Sequence, residues 1–311
     1  MAGCSPYERA TYRYTPFLAV VLIPIALFKP WGKLVFSAAD LLVAWLIQRL
    51  LRDDDLPKRT VSVSMAAWLF NPFTATISTR GNSESLVAAM LLLLLRCLSH
   101  GASQRGGGSF RGVAAAGALL GLATHWRLYP VIYAFPILRH LNLRQRPAKH
   151  TKQHTSGRPT PHTFLQHLSA AWPTCNILVF SVAAAASFVC LGAACYAAYG
   201  QPFLENAYLY HSRRVDPRHN FSLAFYPAYL AHGRTSRWPD RAAQLAQLAA
   251  VAALGWRLAP RLSLAMAAQT MAFVALNKVS TAQYFAWYWA LLPLALPDLL
   301  ASSPQAQRRV G

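Results

Sequence analysis

The sequence predicts an all-α, polytopic helical membrane protein organised as one integral-membrane domain over residues 1–311, and three observations carry that reading. Hydrophobic residues make up 55% of the chain and charged residues only 13%. The apolar residues fall in blocks long enough to match the roughly 20 helical residues that cross a bilayer. No internal repeat and no stretch of soluble-domain composition interrupts them.

Taken in order, residues 14–28 are apolar but short and contain Pro16 and Pro24, so a re-entrant or interfacial helix competes with a crossing. Residues 33–51 are a firmer span, closed by the mixed-charge loop RDDDLPKR at 52–59. Residues 60–78 form the next, broken at Asn71-Pro72, and residues 85–98 return with the run MLLLLL. A glycine-rich basic connector around Arg105 reads as flexible. Two short apolar helices at 112–124 and 128–141 flank His125-Trp126-Arg127; thirteen residues rise only about 20 Å, so one of the pair is tilted or longer than its apolar core. Residues 142–172 are basic, rich in Pro, Thr and His, and compositionally disordered; His150 and His154, four apart, are better explained that way than as metal ligands. Residues 174–199 are a clear span, residues 200–241 are polar, and segments at 242–256, 262–276 and 285–300 complete a count of about eight to ten membrane segments.

Thirty Lys and Arg face ten Asp and Glu, for a net charge of +20. Nucleic acid is excluded as the partner, because the basic residues sit between apolar helices, where anionic lipid and topology account for them. The five cysteines show neither C-x-x-C nor metal spacing; four of them sit in or beside apolar runs and read as buried, inert thiols. No Walker loop, dinucleotide fingerprint, His-Glu-x-x-His or G-x-S-x-G is present, and no cofactor or metal is indicated.

Retention of Lys and Arg on the cytoplasmic side places the basic loop 142–172 there. Counting outwards, the connectors at Arg52, Arg105 and Arg257 share that side. Residues 80–85, 125–130, 200–241 and 277–284 fall on the other. The four connectors richest in mixed polar side chains are therefore expected at one face, as a one-sided active surface requires.

The densest is ENAYLYHSRRVDPRHNFSLAFY at 205–226, with Glu205, His211, Arg213, Arg214, Asp216, Arg218, His219 and Asn220. Arginines on a non-cytoplasmic face run against the positive-inside tendency, and phosphate is their natural ligand, since guanidinium offers it a planar bidentate fork. The competing reading is a loop neutralised by Glu205, Asp216 and Asp240 or lying on lipid headgroups. RGNSES at 80–85 is either a capped turn with an Arg80–Glu84 helix pair, or a site giving Arg80 to phosphate and Asn82 or Glu84 to sugar hydroxyls. HWRLYP supplies His125, Arg127 and Tyr129 at a membrane boundary. NKVSTAQY supplies Asn277, Lys278, Gln283 and Tyr284; its aromatic continuation marks either the interface or the mouth of a lipid-chain groove. Asn220-Phe221-Ser222 is a glycosylation sequon inside this polar cluster.

Set side by side, SPY with RATYRYTP at 9–16, NPF at 71–73, TRGN at 79–82, HWRLYPVIY at 125–133, YHSRRVDPRHNFS at 210–222 and NKVSTAQYFAWY at 277–288 resemble the catalytic subunits of GPI mannosyltransferase I. The resemblance covers nearly the whole chain. It implies the C-type glycosyltransferase fold in the endoplasmic-reticulum membrane, with a lumenal active face. It further implies transfer of the first mannose, α-1,4, from dolichyl phosphate mannose to glucosaminyl-phosphatidylinositol with inversion, alongside a smaller stabilising membrane subunit. The family places an acidic D-x-D-type motif in a first lumenal loop, after an initial span and ahead of RATYRYTP. This chain opens just before Tyr7, so an initial span and loop are expected upstream and the catalytic carboxylate is unassigned. The alternatives are another lumenal mannosyltransferase using the same donor, or a non-catalytic multi-pass protein.

Overall fold

The computed structural model describes residues 5–100, 110–145, 174–214, 216, 220–230 and 237–301, with only the backbone given for a few of them, Arg213 included. Most of the basic loop at 142–172, together with Arg218 and His219, lies outside them. The described residues form helices and turns without a strand.

Helix α1 (Pro16–Leu22) runs into a 3-10 turn (Ile23–Ala26), an apolar unit too short to cross a bilayer. Helix α2 (Trp31–Asp53) is the central span. Phe36, Val43, Ile47 and Leu51 recur at helical spacing and are wholly buried, whereas Leu34, Leu41 and Trp45 on the opposite face are exposed. Helix α3 (Lys58–Leu69) ends before Asn71, whose Oδ1 accepts the Phe73 N–H at 2.8 Å and caps α4 (Pro72–Thr79). The span expected at 60–78 is thus two helices, because cap and proline together stop the first and start the second. Helix α5 (Glu84–His100) leaves α4 at 116°.

Then follow α6 (Phe110–Trp126), a 3-10 turn (Tyr129–Tyr133), α7 (Ala134–Gln145) and the 25-residue α8 (Cys175–Tyr199). Gly200, at φ 62 and ψ −149, stops α8 in a conformation side-chain-bearing residues avoid. The chain continues through a π-helical turn (Leu204–Leu209) and a short helical turn (Tyr210–Arg213). Helices α9 (Phe225–Leu230), α10 (Arg237–Leu258), α11 (Leu262–Ala275), α12 (Phe285–Trp289) and α13 (Leu292–Ala301) finish the fold. The helix expected over 285–300 is interrupted at Ala290 and Leu291, just ahead of Pro293, which cannot donate to the carbonyl one turn back. By length and composition α2 and α8 can each cross a membrane, with the bent α4–α5 pair a third.

Lipid is as apolar as leucine, so close packing and polar pairs hold such helices together. Gln269 Nε2 donates to the Val251 carbonyl at 2.8 Å and Gln247 Nε2 to that of Phe273 at 2.7 Å, tying α10 to α11. Ser85 at the start of α5 donates to Asp40 in mid-α2, and Arg96 meets Asp53 at 2.8 Å further along both helices. Helices α2 and α5 therefore run side by side in one direction, and their ends carry Glu84 to one face and Asp53 to the other.

Helix α6 meets α8 through glycines. A methyl group on Gly121 would lie 2.3 Å from the Ala184 carbonyl oxygen, and one on Gly117 2.4 Å from that of Phe180. On α8 itself, Gly192 faces open space. Gly121→Ala is expected to cost about 1–3 kcal/mol by overpacking, while Gly192→Ala gains up to about 1 kcal/mol of helix propensity. Thermal unfolding of the detergent-solubilised protein should place the two variants on opposite sides of wild type.

Candidate active site

The polar connectors meet at one end of the bundle around Glu84. This residue is 2% exposed. One carboxylate oxygen accepts from Arg127 Nη2, and the other from the Trp287 indole N–H at 2.6 Å. The preceding residues join the same seam: Trp126 Nε1 donates to Ser83 Oγ at 3.1 Å, and Asn82 Nδ2 to Gln283 Oε1 at 2.7 Å. Tyr129 stacks on Trp287 at 3.8 Å, and Trp287 on Tyr284 at 4.1 Å. Arg127, anchored from below, lies 4.6 Å above the Tyr14 ring.

Above this seam is a cavity of about 160 Å³ whose lining includes Arg13, Arg127, His211, Arg214, Lys278 and Tyr284. A recess of about 390 Å³ beside it shares all of these except Lys278. Arg13 donates to Asn206 and stands 4.3 Å over the Tyr210 ring; Arg214 meets Asp216 at 2.9 Å. Among the described residues, three guanidiniums and an ammonium thus face two carboxylates, one of them sealed beneath the floor, a balance that suits an anion. Thr15 Oγ1, Arg127 Nε and Thr281 Oγ1 are buried and lack a hydrogen-bond partner among the described residues. Buried polar atoms are rarely left so, and these border the cavity or its recess.

The π-helical turn aims the 204–214 segment. Such turns widen the helix by one residue and frequently occur at functional sites. Tyr208 reaches His125 Nδ1 at 2.7 Å, while Cys195 Sγ lies 3.7 Å from Nε2, so the fully buried His125 is held within the wall. Burial pushes the Tyr208 phenol above its ordinary range, keeping it protonated. One turn on, His211 Nε2 donates to the Arg13 carbonyl at 3.3 Å, leaving Nδ1 as an acceptor. Burial, then the charges of Arg127, Arg214 and Arg13, hold His211 below the ordinary imidazole value despite the Arg13 carbonyl bond.

Of the residues singled out by sequence, His125, Arg127, Tyr129, His211, Arg214, Asn277, Lys278 and Tyr284 line the main cavity, and Gln283 the recess. Others serve differently. Glu84 pairs with Arg127 instead of Arg80, because the bend before α5 turns Arg80 away. Asn220 is a clamp: its Oδ1 accepts from the Ser222 and Ser280 N–H groups and its Nδ2 donates to the Lys278 carbonyl, all at 2.9 Å. Its amide is buried and engaged, which removes both sugar orientation and glycosylation from its reach. Glu205 is exposed, bonded to Gln201 at 3.2 Å, and lines none of the cavities described. Arg13, Tyr14 and Tyr208 also line the cavity without standing out in the sequence; for the first two the aromatic-basic alternation TYRYT at 11–15 is the local signal. Among the described residues no three His, Cys, Asp or Glu side chains are placed to hold a metal ion.

A family model described as Mannosyltransferase (PIG-M) matches residues 77–306. GPI mannosyltransferase 1 of Gibberella zeae is 39% identical over 307 residues, spanning 95% of this chain and 68% of that protein. The GPI alpha-1,4-mannosyltransferase I catalytic subunit of Danio rerio is 38% identical over 301 residues, spanning 96% and 69%. The crystal structure of ArnT from Cupriavidus metallidurans bound to undecaprenyl phosphate shares the fold at a TM-score of 0.57 and 15% identity; the likeness covers 96% of this chain and about half, 52%, of that one.

Removing one partner of a buried ion pair strands the other, so Glu84→Ala is expected to cost about 3–5 kcal/mol, whereas Glu84→Met with Arg127→Met recovers most of that stability. Unfolding midpoints of the two variants measure this. A histidine held below its unfolded value stabilises the fold above about pH 6.5, and that contribution is lost as pH falls through the folded value. Stability should therefore fall as pH drops below about 6.5, with His211→Gln flattening part of that acid limb in melts run across the range.

Proposed function

The chain belongs to the PIG-M family of mannosyltransferases, and from that premise we propose that it transfers the first mannose of GPI-anchor assembly, in α-1,4 linkage, from dolichyl phosphate mannose to glucosaminyl-phosphatidylinositol. It does so in the endoplasmic-reticulum membrane with its polar end in the lumen. The shorter apolar helices complete eight to ten membrane segments. Helix α8, whose Leu178, Val182 and Val189 are exposed, offers a face to lipid and to a smaller stabilising subunit.

The observation that carries the reading is the gathering of Arg13, Arg127, Arg214 and Lys278 about one cavity at the end of an apolar bundle. In the transfer, the acceptor hydroxyl oxygen bonds to the anomeric carbon and passes its proton to a base, which releases it to water. The bond from that carbon to the phosphate oxygen breaks, and its electron pair leaves on dolichyl phosphate. Negative charge grows on the departing phosphate, and arginines already in place lower the barrier without reorganising. Arg127 is the most firmly positioned, gripped by Glu84 and laid over Tyr14. Arg214 and Arg13 close on the phosphate from the 204–214 segment and the 9–16 segment. Asn277, Gln283 and His211 remain to orient sugar hydroxyls.

Loss of one such donor costs about a hundredfold or more in rate. Arg214→Ala, expressed from the complete gene in a host lacking this activity, should therefore fail to restore anchor synthesis while accumulating in the membrane at wild-type levels. Normal anchor synthesis with that change overturns the assignment. The lipid that builds up in a deletion strain separates the first mannosyl transfer from a later one: unmannosylated glucosaminyl-phosphatidylinositol is expected.

A further inference from the structure

A second chamber, of about 760 Å³, lies beside the arginine cavity. Its walls come from Leu18 of α1, Phe73 and Ile77 of α4, and Phe221 of the clamped 220–222 segment, and Arg80 is the one charged residue lining it among the described residues. The Arg80 side chain is exposed and makes no hydrogen bond or ion pair with any described residue. Gly81, at φ 81, turns the chain from α4 towards α5, and a side chain there would meet nothing within 4 Å. Tyr14, Thr281 and Gln283 line both this chamber and the recess of the arginine cavity, so the two share a wall. On that wall Asn82 and Gln283 form their amide pair.

This inference rests on the function proposed above, which brings two lipid phosphates to one enzyme. Their chemical demands differ. The donor's phosphate gains charge as the sugar leaves, and dense cationic surroundings lower that barrier; Arg13, Arg127 and Arg214 are on its side of the wall. The acceptor's phosphodiester keeps one negative charge throughout and needs only an anchor. We propose that the Arg80 chamber is the acceptor site, taking a glycosylated inositol phospholipid. Its phosphodiester rests on Arg80, its acyl chains pass the exposed aromatic rings of Phe73 and Phe221 (44% and 69% exposed), and its sugar headgroup reaches over the Asn82–Gln283 pair to meet the donor at Tyr14. The amide pair supplies donors and acceptors for hydroxyls, and the apolar walls exclude water from the approach.

The test uses the membrane protein from the complete gene in phosphatidylcholine nanodiscs, with two probes measured separately: fluorescent short-chain phosphatidylinositol and fluorescent dolichyl phosphate. Arg80→Gln should weaken phosphatidylinositol binding about tenfold, the worth of one charge-assisted contact, and leave dolichyl phosphate unchanged. Arg214→Gln should do the reverse, and Arg80→Lys should recover most of the lost affinity. Phe73→Ala provides a second variant on the chamber's apolar wall, expected to weaken the inositol lipid alone. Phosphatidylserine, of equal charge, should bind more weakly. The proposal is overturned if Arg80→Gln affects dolichyl phosphate or neither probe, or if phosphatidylserine binds as well as the inositol lipid. Because binding is read without turnover, a wild-type protein that binds both probes but transfers no mannose refutes the proposed function and leaves this assignment standing.

Discussion

A carboxylate buried at 2% exposure tolerates its charge only when that charge is matched, and Glu84 matches it with the Arg127 guanidinium and the Trp287 indole. The pair is the constraint from which the site's geometry follows. It binds the start of α5 to the end of α6 and to α12, three segments far apart in sequence. It also sets the direction of Arg127, which emerges over Tyr14 with its face towards the cavity. The Asn82–Gln283 and Trp126–Ser83 bonds continue the same seam through the two residues before Glu84.

The membrane setting explains why a polar seam of this kind is placed at a helix end. Inside the apolar body, association depends on close approach and on a few polar pairs, such as Gly121 against Ala184 and Ser85 with Asp40. Those contacts fix the relative height of α2, α5, α6 and α8, and the ends of the helices follow. Because α2 and α5 run in one direction, the acidic Asp53 end and the Glu84 end are kept on opposite faces. A low-dielectric surround then makes each arginine at the Glu84 end worth more to a phosphate than it would be in water.

Much of this was legible in the chain. Helical character came from hydropathy, and the break at Asn71-Pro72 from turn chemistry. Partition of the polar connectors to one face came from the distribution of Lys and Arg, and the structure does bring those connectors together. The misreadings share a cause. Arg80 and Glu84 are four apart, the spacing of a helix pair, yet the helix begins only at Glu84 and the turn before it points Arg80 elsewhere. Asn220 looked chemical because its neighbours are, and proved to be a backbone clamp. The partners of Arg13 and Tyr14 are distant in sequence, and only Asn206, Tyr210 and Arg127 reveal their place.

The sequence by itself determined an all-helical membrane architecture, its punctuation, and a surplus of arginine on the connectors of one face, because hydropathy, capping and charge bias act over a few neighbouring residues. Only the tertiary structure decided which arginines converge and which stands apart: Arg13, Arg127 and Arg214 around one cavity, Arg80 in the chamber across Tyr14. The physical reason is the length of the interactions involved. A buried carboxylate chooses its partner by packing across more than 40 residues, Glu84 to Arg127, and more than 200, Glu84 to Trp287, and no local pattern of residues encodes such a choice.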